Sequence, residues 1–449
     1  GGEVFRALSR QGLDDWRRLS QTKLFPQLVE QGKIVRTEEV EGAQAPPGLR
    51  AEEYGAVLRH ELIPFVSYAY EWTPGMLRDA ALLTLDLMLA SLDEDLVLKD
   101  ATPYNVQFRG SRPVFVDVGS WEQLNPGEPW SGYRQFCMQF LYPLMLQAYK
   151  GIPFQPWLRG SLEGITPREA RAAMAGRGRF HKGVMTHVFI HARLDASYSQ
   201  RGKTAGDVKK ELKSAGFGKE LIRANVRKVR KAVEAAEWSP PDSVWTAYRA
   251  DNTYEDADNQ AKAAFIRDVA GQREWNLAWD LGANDGHYSR MLAEHVRYVL
   301  ALDLDPSTVE LLYRDLKAEG NERILPLVMN LTDPSPGLGW RGIERKSFTE
   351  RGKPDLVLAL ALLHHVSITG NVPVRQFVDW LASLGSSVVI EFMTREDPMV
   401  KRLLAAKRVD HEDYERGFFE QCVREAFEIE RSEELPSGTR ILYSLRPRA

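Results

Sequence analysis

The run Trp279-Asp280-Leu281-Gly282-Ala283-Asn284-Asp285-Gly286 places an acid, a glycine, an asparagine and a second glycine at alternate positions directly after an apolar stretch. Glycines at a strand-to-helix turn let the backbone approach a ligand closely, and the amides of the helix start can hold a carboxylate. About twenty residues further on, a second apolar stretch ends in Leu302-Asp303-Leu304-Asp305, where an acid can grip a ribose diol. The glycine spacing is D-x-G-x-N-x-G, not G-x-G-x-x-G, which argues against a nicotinamide dinucleotide. Asp280, Gly282, Asn284, Gly286 and Asp303 are therefore the first candidates for holding a nucleoside-containing cofactor.

A second constellation lies earlier in the chain. Asp100 is followed five residues later by Asn105, and a glycine-containing turn then leads to Val114-Phe115-Val116-Asp117. An acid, an asparagine and a second acid at a strand end are the residue types with which a phosphotransferase holds a base and two oxygen ligands for magnesium. Asp100 would be the base, and Asn105 and Asp117 the metal ligands. A phosphotransferase also needs a nucleotide lobe with a glycine loop, and the residues before Asp100 read as mostly helical, with Lys33-Ile34-Val35-Arg36 as their best strand. No other group of residues has a metal-ligand spacing, so no structural metal is expected.

The elements that must position these residues follow from periodicity. Short apolar runs at Leu277–Asp280, Tyr298–Asp303, Ile324–Met329, Leu356–Leu360 and Ser387–Glu391 alternate with helical patterns, which predicts an α/β domain with a parallel sheet. The N-terminal half predicts long helices at Met76–Leu92 and Tyr133–Tyr149 around a small strand-turn-strand unit at Val97–Val118, a mainly helical α+β domain. Between them, residues 201–237 carry 11 basic and 5 acidic side chains. Leu221, Val226, Val229 and Val233 recur there at near-helical spacing, which predicts an amphipathic connector helix. The expected organisation is a domain over 1–200, a basic helical linker over 201–241 and an α/β domain over 242–449.

With 449 residues, two domains are the default. Composition is that of a folded globular protein: 43% hydrophobic, 27% charged, net formal charge −3, which gives no reason to expect nucleic acid or an anionic membrane as partner. The two cysteines, Cys137 and Cys422, form no metal or redox motif, and no apolar run reaches the roughly 20 residues of a membrane span. A cytoplasmic protein is expected.

On the D-x-G-x-N-x-G turn and the Asp303 that follows it, the stretch from about 243 to 449 resembles the class I S-adenosylmethionine-dependent methyltransferases, which have a Rossmann-like sheet. The resemblance implies that Asp280 and Gly282 lie against the methionine moiety, that Asp303 binds the ribose hydroxyls, and that Asp305 or Leu304 borders the adenine. Asn330, at the end of Val328-Met329-Asn330, would read the adenine. Leu362-x-His364-His365 resembles the segment at the cofactor and substrate mouth, and Trp245, Tyr248 and Tyr254 stand where relatives place an aromatic lid. His364 and His365 are base candidates, with Glu391, at the end of the fifth strand, as the second.

The spacing of Asp100, Asn105 and Asp117 resembles aminoglycoside-phosphotransferase-like kinases. Lys99 stands where that family often has glycine, and no glycine loop precedes it. The reading is a kinase-like lobe that recruits substrate without phosphoryl transfer, fused to a methyltransferase acting on a small molecule or saccharide. Two alternatives stay open: a bifunctional kinase and methyltransferase, for which ATP and Mg2+ would be the N-terminal ligands, and a non-catalytic module that binds S-adenosylmethionine.

Overall fold

The computed structural model describes residues 3–40, 46, 48–49, 54–125, 127–200, 218–241, 256–408 and 411–448. The chain divides into two compact units, Gly1–Phe108 with Pro113–Ser239, and Arg109–Arg112 with Pro240–Ala449.

In the first unit, strands β1 (Val4–Leu8), β2 (Thr37–Val40) and β3 (Ala56–His60) form an antiparallel sheet in the order β1-β3-β2. The sequence reading put helix here and a strand at Lys33–Arg36. That strand is corrected to a single bridge between Ile34 and Phe115. The true strands were hidden because β1 and β2 are short, and β2 turns Glu38 and Glu39 outward. β4 (Leu96–Leu98) pairs with β7 (Trp121–Gln123), and β5 (Val106–Arg109) with β6 (Arg112–Phe115). The long helix Pro74–Ser91 starts on a Thr73 side-chain cap with proline in its first turn.

Helix Lys219–Ala235 packs on that helix rather than connecting domains. Ile222, Val226, Val229 and Val233 are buried, while Leu221, expected on the apolar stripe, is exposed. Three of its basic residues are paired with acids: Arg223 with Asp93, Arg230 with Asp86, Lys219 with Asp95. The expected linker is thus corrected, over its described helix, to a part of the first unit; residues 201–217 lie outside the described residues.

The second unit carries a seven-stranded sheet of β8 (Trp275–Leu281), β9 (Val296–Asp303), β10 (Ile324–Val328), β11 (Leu356–Ala359), β12 (Ser387–Met393), β13 (Phe427–Glu434) and β14 (Arg440–Pro447). The order is β10-β9-β8-β11-β12-β14-β13, with β14 antiparallel to both neighbours and the other pairs parallel. Strands such as Leu356-Val357-Leu358-Ala359 are buried on both faces, as a covered parallel sheet requires. Phe265, Ile266, Val269, Leu292, Val299, Leu312, Leu316 and Leu358 belong to one core cluster. The chain winds from β8 through β9 to β10 on one side and from β11 to β12 on the other. The order therefore reverses between β8 and β11, and ligands of such sheets bind beyond the carboxyl ends of the strands at that switch point.

Candidate active site

At the end of β8 the chain turns at Gly282 (φ 80°), Asn284 (φ 49°) and Gly286 (φ 75°) before entering helix His287–Leu292. The Gly282 and Ala283 amides both donate to the Leu302 carbonyl, at 2.8 and 2.9 Å, which fastens the turn to β9. A Cβ on Gly286 would come within 2.6 Å of Leu312 Cδ1, so glycine is required there for conformation and for space. Asp280, at the last turn of β8, is buried, and its carboxylate accepts the Ser289 hydroxyl at 2.6 Å.

Asp303 ends β9 beside this turn. One of its oxygens accepts the Asn284 amide at 3.0 Å and the other the Asp305 amide at 2.9 Å, so both are aimed by backbone. Burial pushes the Asp303 carboxyl above the usual range. Burial, with smaller contributions from Asp303 and Asp285, pushes Asp280 up to about 7 against the pull of Ser289. The site thus holds two acids at the turn whose ionised forms would be relieved by a cationic ligand.

Asp305 is committed elsewhere: it caps helix Pro306–Ala318, accepting from the Ser307 amide at 2.9 Å and the Thr308 hydroxyl at 3.2 Å. Both of its oxygens are thus engaged in the helix cap, whereas the neighbouring Leu304 side chain is exposed. Asn330 Oδ1 accepts from the amide and hydroxyl of Thr332 at 3.0 and 2.8 Å, which turns its amide nitrogen, a donor, away from Thr332.

Across the switch point, β11 runs into Ala361, which has φ 46°, and then into His364 and a π-helical turn over His365–Thr369. The two imidazoles lie 4.1 Å apart between ring centroids. Burial holds His364 well below the usual range and His365 down at about 4, so both are neutral at pH 7. Glu391, expected as a base, is instead fully buried: its carboxylate takes the Lys262 ammonium at 2.8 and 2.9 Å and the Ala361 amide at 2.8 Å. A carboxylate so engaged is not placed to take a proton from an acceptor, and that role is corrected.

No family model matches the chain. It is 32% identical over 431 residues to nodulation protein NoeA of Rhizobium meliloti (strain 1021), covering 95% of this chain and 88% of that protein. The chain belongs to the NoeA family. Among solved structures, it is similar to the N-methyltransferase NodS of Bradyrhizobium japonicum WM9, at 11% identity over 43% of this chain and 99% of NodS, TM-score 0.33. It is also similar to magnesium protoporphyrin IX methyltransferase of Synechocystis PCC 6803, at 17% identity over 42% and 83%, TM-score 0.30.

In this member of the NoeA family the N-terminal trio is drawn into one hydrogen-bonded knot. Asn105 donates to the Ser120 hydroxyl at 2.8 Å and to the Asp100 carbonyl at 3.3 Å, and Ser120 donates to Asp117 at 2.9 Å. Asp117 also accepts the Gly119 amide and pairs with Arg6, while the Asp100 residue is exposed. Asp117 thus already carries a cation from the protein itself. Trp245, Tyr248 and Tyr254 lie outside the described residues.

Sequence reasoning missed Lys262, Ser289 and Arg440. The signal for Lys262 was present: it shares an i, i+3, i+4, i+7 stripe with Phe265, Ile266 and Val269, so a lysine falls on the buried helix face.

Proposed function

We propose that this NoeA-family chain is an S-adenosylmethionine-dependent methyltransferase acting on a small-molecule or saccharide acceptor, and that, as with its relative, its role is in nodulation. The observation that carries the reading is the Asp303 carboxylate at the end of β9, aimed by the amides of Asn284 and Asp305 at the switch point, with the buried Asp280 beside it. An adenosyl donor bearing a sulfonium and an ammonium group fits this set. Asp303 has lone pairs left for a ribose diol, and a cation relieves two acids that have no ionic partner among the described residues. The donor supplies an activated methyl electrophile, so what remains for the protein is positioning and, for an alcohol or ammonium acceptor, removal of one proton.

Asp303 would orient the ribose and Asp280 the methionine end, while Leu304 would border the adenine and Asn330 donate to one of its ring nitrogens. His365, neutral and only partly buried at the opposite lip, would receive the acceptor's proton on an imidazole nitrogen, with His364 packed behind it. The test is transfer of label from methyl-tritiated S-adenosylmethionine to a panel of saccharide and small-molecule acceptors. The reading expects label in an acceptor with wild type and none with Asp303→Ala. Absence of transfer to every acceptor class, alongside tight donor binding, would leave a binding module instead.

A further inference from the structure

Five non-glycine residues among those described have left-handed backbone: Asp95, Asn284, Arg341, Ala361 and Asn371. Asn284 and Ala361 stand on the two loops that flank the switch point, and in both the backbone N–H is held by a carboxylate, Asp303 for Asn284 and Glu391 for Ala361. Alanine is the one of the five without a polar or charged side chain. It has nothing of its own to offset the clash of Cβ with the following carbonyl, so the conformation must be imposed from outside.

Glu391 is the group that accepts the Ala361 N–H in this conformation, at 2.8 Å. Its carboxylate, buried at the end of β12, is gripped by Lys262 from helix Asp256–Ala270. Arg440 of β14 lies 3.7 Å from its second oxygen and pairs at 2.8 Å with Asp397, the cap of helix Pro398–Ala405. Two cations and two anions, all buried, run across four elements and end on a single amide at the cofactor mouth. Ion pairs this deep are poor sources of stability, since desolvation offsets the attraction, and their best-attested use is to fix one conformation among several. The conformation fixed here has a visible consequence. The residue after Ala361, Leu362, is set against the glycine turn, its Cδ1 3.4 Å from where a Cβ on Gly282 would be.

We infer that Glu391 is a positioning residue of the donor pocket: clamped by Lys262 and Arg440, it holds the Ala361 N–H and so keeps Leu362 packed over the Gly282 turn. The inference rests on the donor reading above. It requires no chemistry from Glu391, and it explains why an acid lies at the end of β12 without reaching an acceptor.

The experiment measures the S-adenosylhomocysteine dissociation constant in wild type, Glu391→Gln, Glu391→Gln with Ala361→Gly, and Ala361→Pro, and native-state hydrogen exchange at the residue-361 amide in all of these but the proline variant, which has no N–H there. Glu391→Gln is expected to weaken binding by about tenfold or more and to deprotect the amide, because Lys262 loses its anion while Arg440 keeps only Asp397. Adding Ala361→Gly removes the Cβ penalty at positive φ and is expected to recover most of the lost affinity, which repair of a merely destabilised core would not do. Ala361→Pro leaves every charge paired and deletes only the N–H and the left-handed option, so it is expected to weaken binding even if Glu391→Gln fails to fold. Wild-type affinity in Ala361→Pro or in a folded Glu391→Gln, or no recovery on adding glycine, would overturn the inference. Should wild type not bind S-adenosylhomocysteine at all, the donor reading falls; amide protection that survives Glu391→Gln would then overturn the positioning role independently.

Discussion

Asp303 and Asn284 meet where β9 ends and the glycine turn begins, the Asp303 carboxylate accepting the Asn284 amide at 3.0 Å. The bond joins the two motifs that stood apart in the sequence and fixes the acid relative to the turn. The asparagine in the glycine-like position is accommodated because its backbone is left-handed, a region asparagine enters more readily than most residues.

Gly286 is expected to tolerate no side chain. Gly286→Ala would place a Cβ 2.6 Å from Leu312 Cδ1 at φ 75°, combining overpacking with an unfavourable backbone. A loss of about 1–3 kcal/mol in urea-unfolding stability is the expected outcome. An unchanged midpoint would show that the turn relaxes freely.

Asp280 gives a pH dependence whose sign is fixed by its raised pKa. The unfolded carboxyl titrates near 4 and the folded one at about 7, so between these values the folded state binds more protons than the unfolded. Stability of the ligand-free protein is therefore expected to fall as pH rises from about 4 to about 7 and then to level off. In Asp280→Asn that component should vanish, and the difference in stability between the two proteins, measured by chemical denaturation across the range, is the check. A difference independent of pH would mean that Asp280 ionises normally.

The imidazoles make the opposite kind of prediction. His365 titrates at about 4 in the folded chain against an ordinary 6.5, so it should remain neutral across the physiological range, as its ring signals in NMR titrations would report. If it receives the acceptor's proton, His365→Gln should lower kcat by about a hundredfold or more while the S-adenosylhomocysteine dissociation constant stays within about twofold. Equal losses in both would make it a binding residue.

The first unit should be indifferent to nucleotide. Arg6, Ser120 and Gly119 already engage the Asp117 carboxylate that a magnesium ion would need. Saturating Mg-ATP is accordingly expected to leave the melting temperature unchanged, whereas a bound ligand at a hundred times its Kd would add about 2.7 kcal/mol. A clear upward shift, lost in Asp117→Ala, would restore the phosphotransferase alternative.

Much of the second unit was legible because a parallel sheet buried on both faces writes itself as apolar runs, and its glycine turn as a spaced motif. β9, β10 and β11 lie within a few residues of where periodicity put them. The β13–β14 hairpin escaped, since β13 is an exposed, charged edge strand of the sequence Phe-Glu-Ile-Glu-Arg-Ser-Glu-Glu. The small sheet of the first unit escaped for a similar reason. At the site, residue type alone could not separate Asp303, aimed by two amides, from Asp305, spent on a helix cap, or tell that Glu391 would meet a lysine 129 positions away. Those distinctions depend on tertiary contacts, which spacing along the chain does not encode.

The most direct test of the donor pocket is calorimetric titration of S-adenosylhomocysteine into wild type and Asp303→Ala. Micromolar binding by wild type, weakened by at least about a hundredfold in a folded Asp303→Ala as a charged hydrogen-bonding partner is removed, is the expected result. No binding by folded wild type, or equal binding by both proteins, would contradict it.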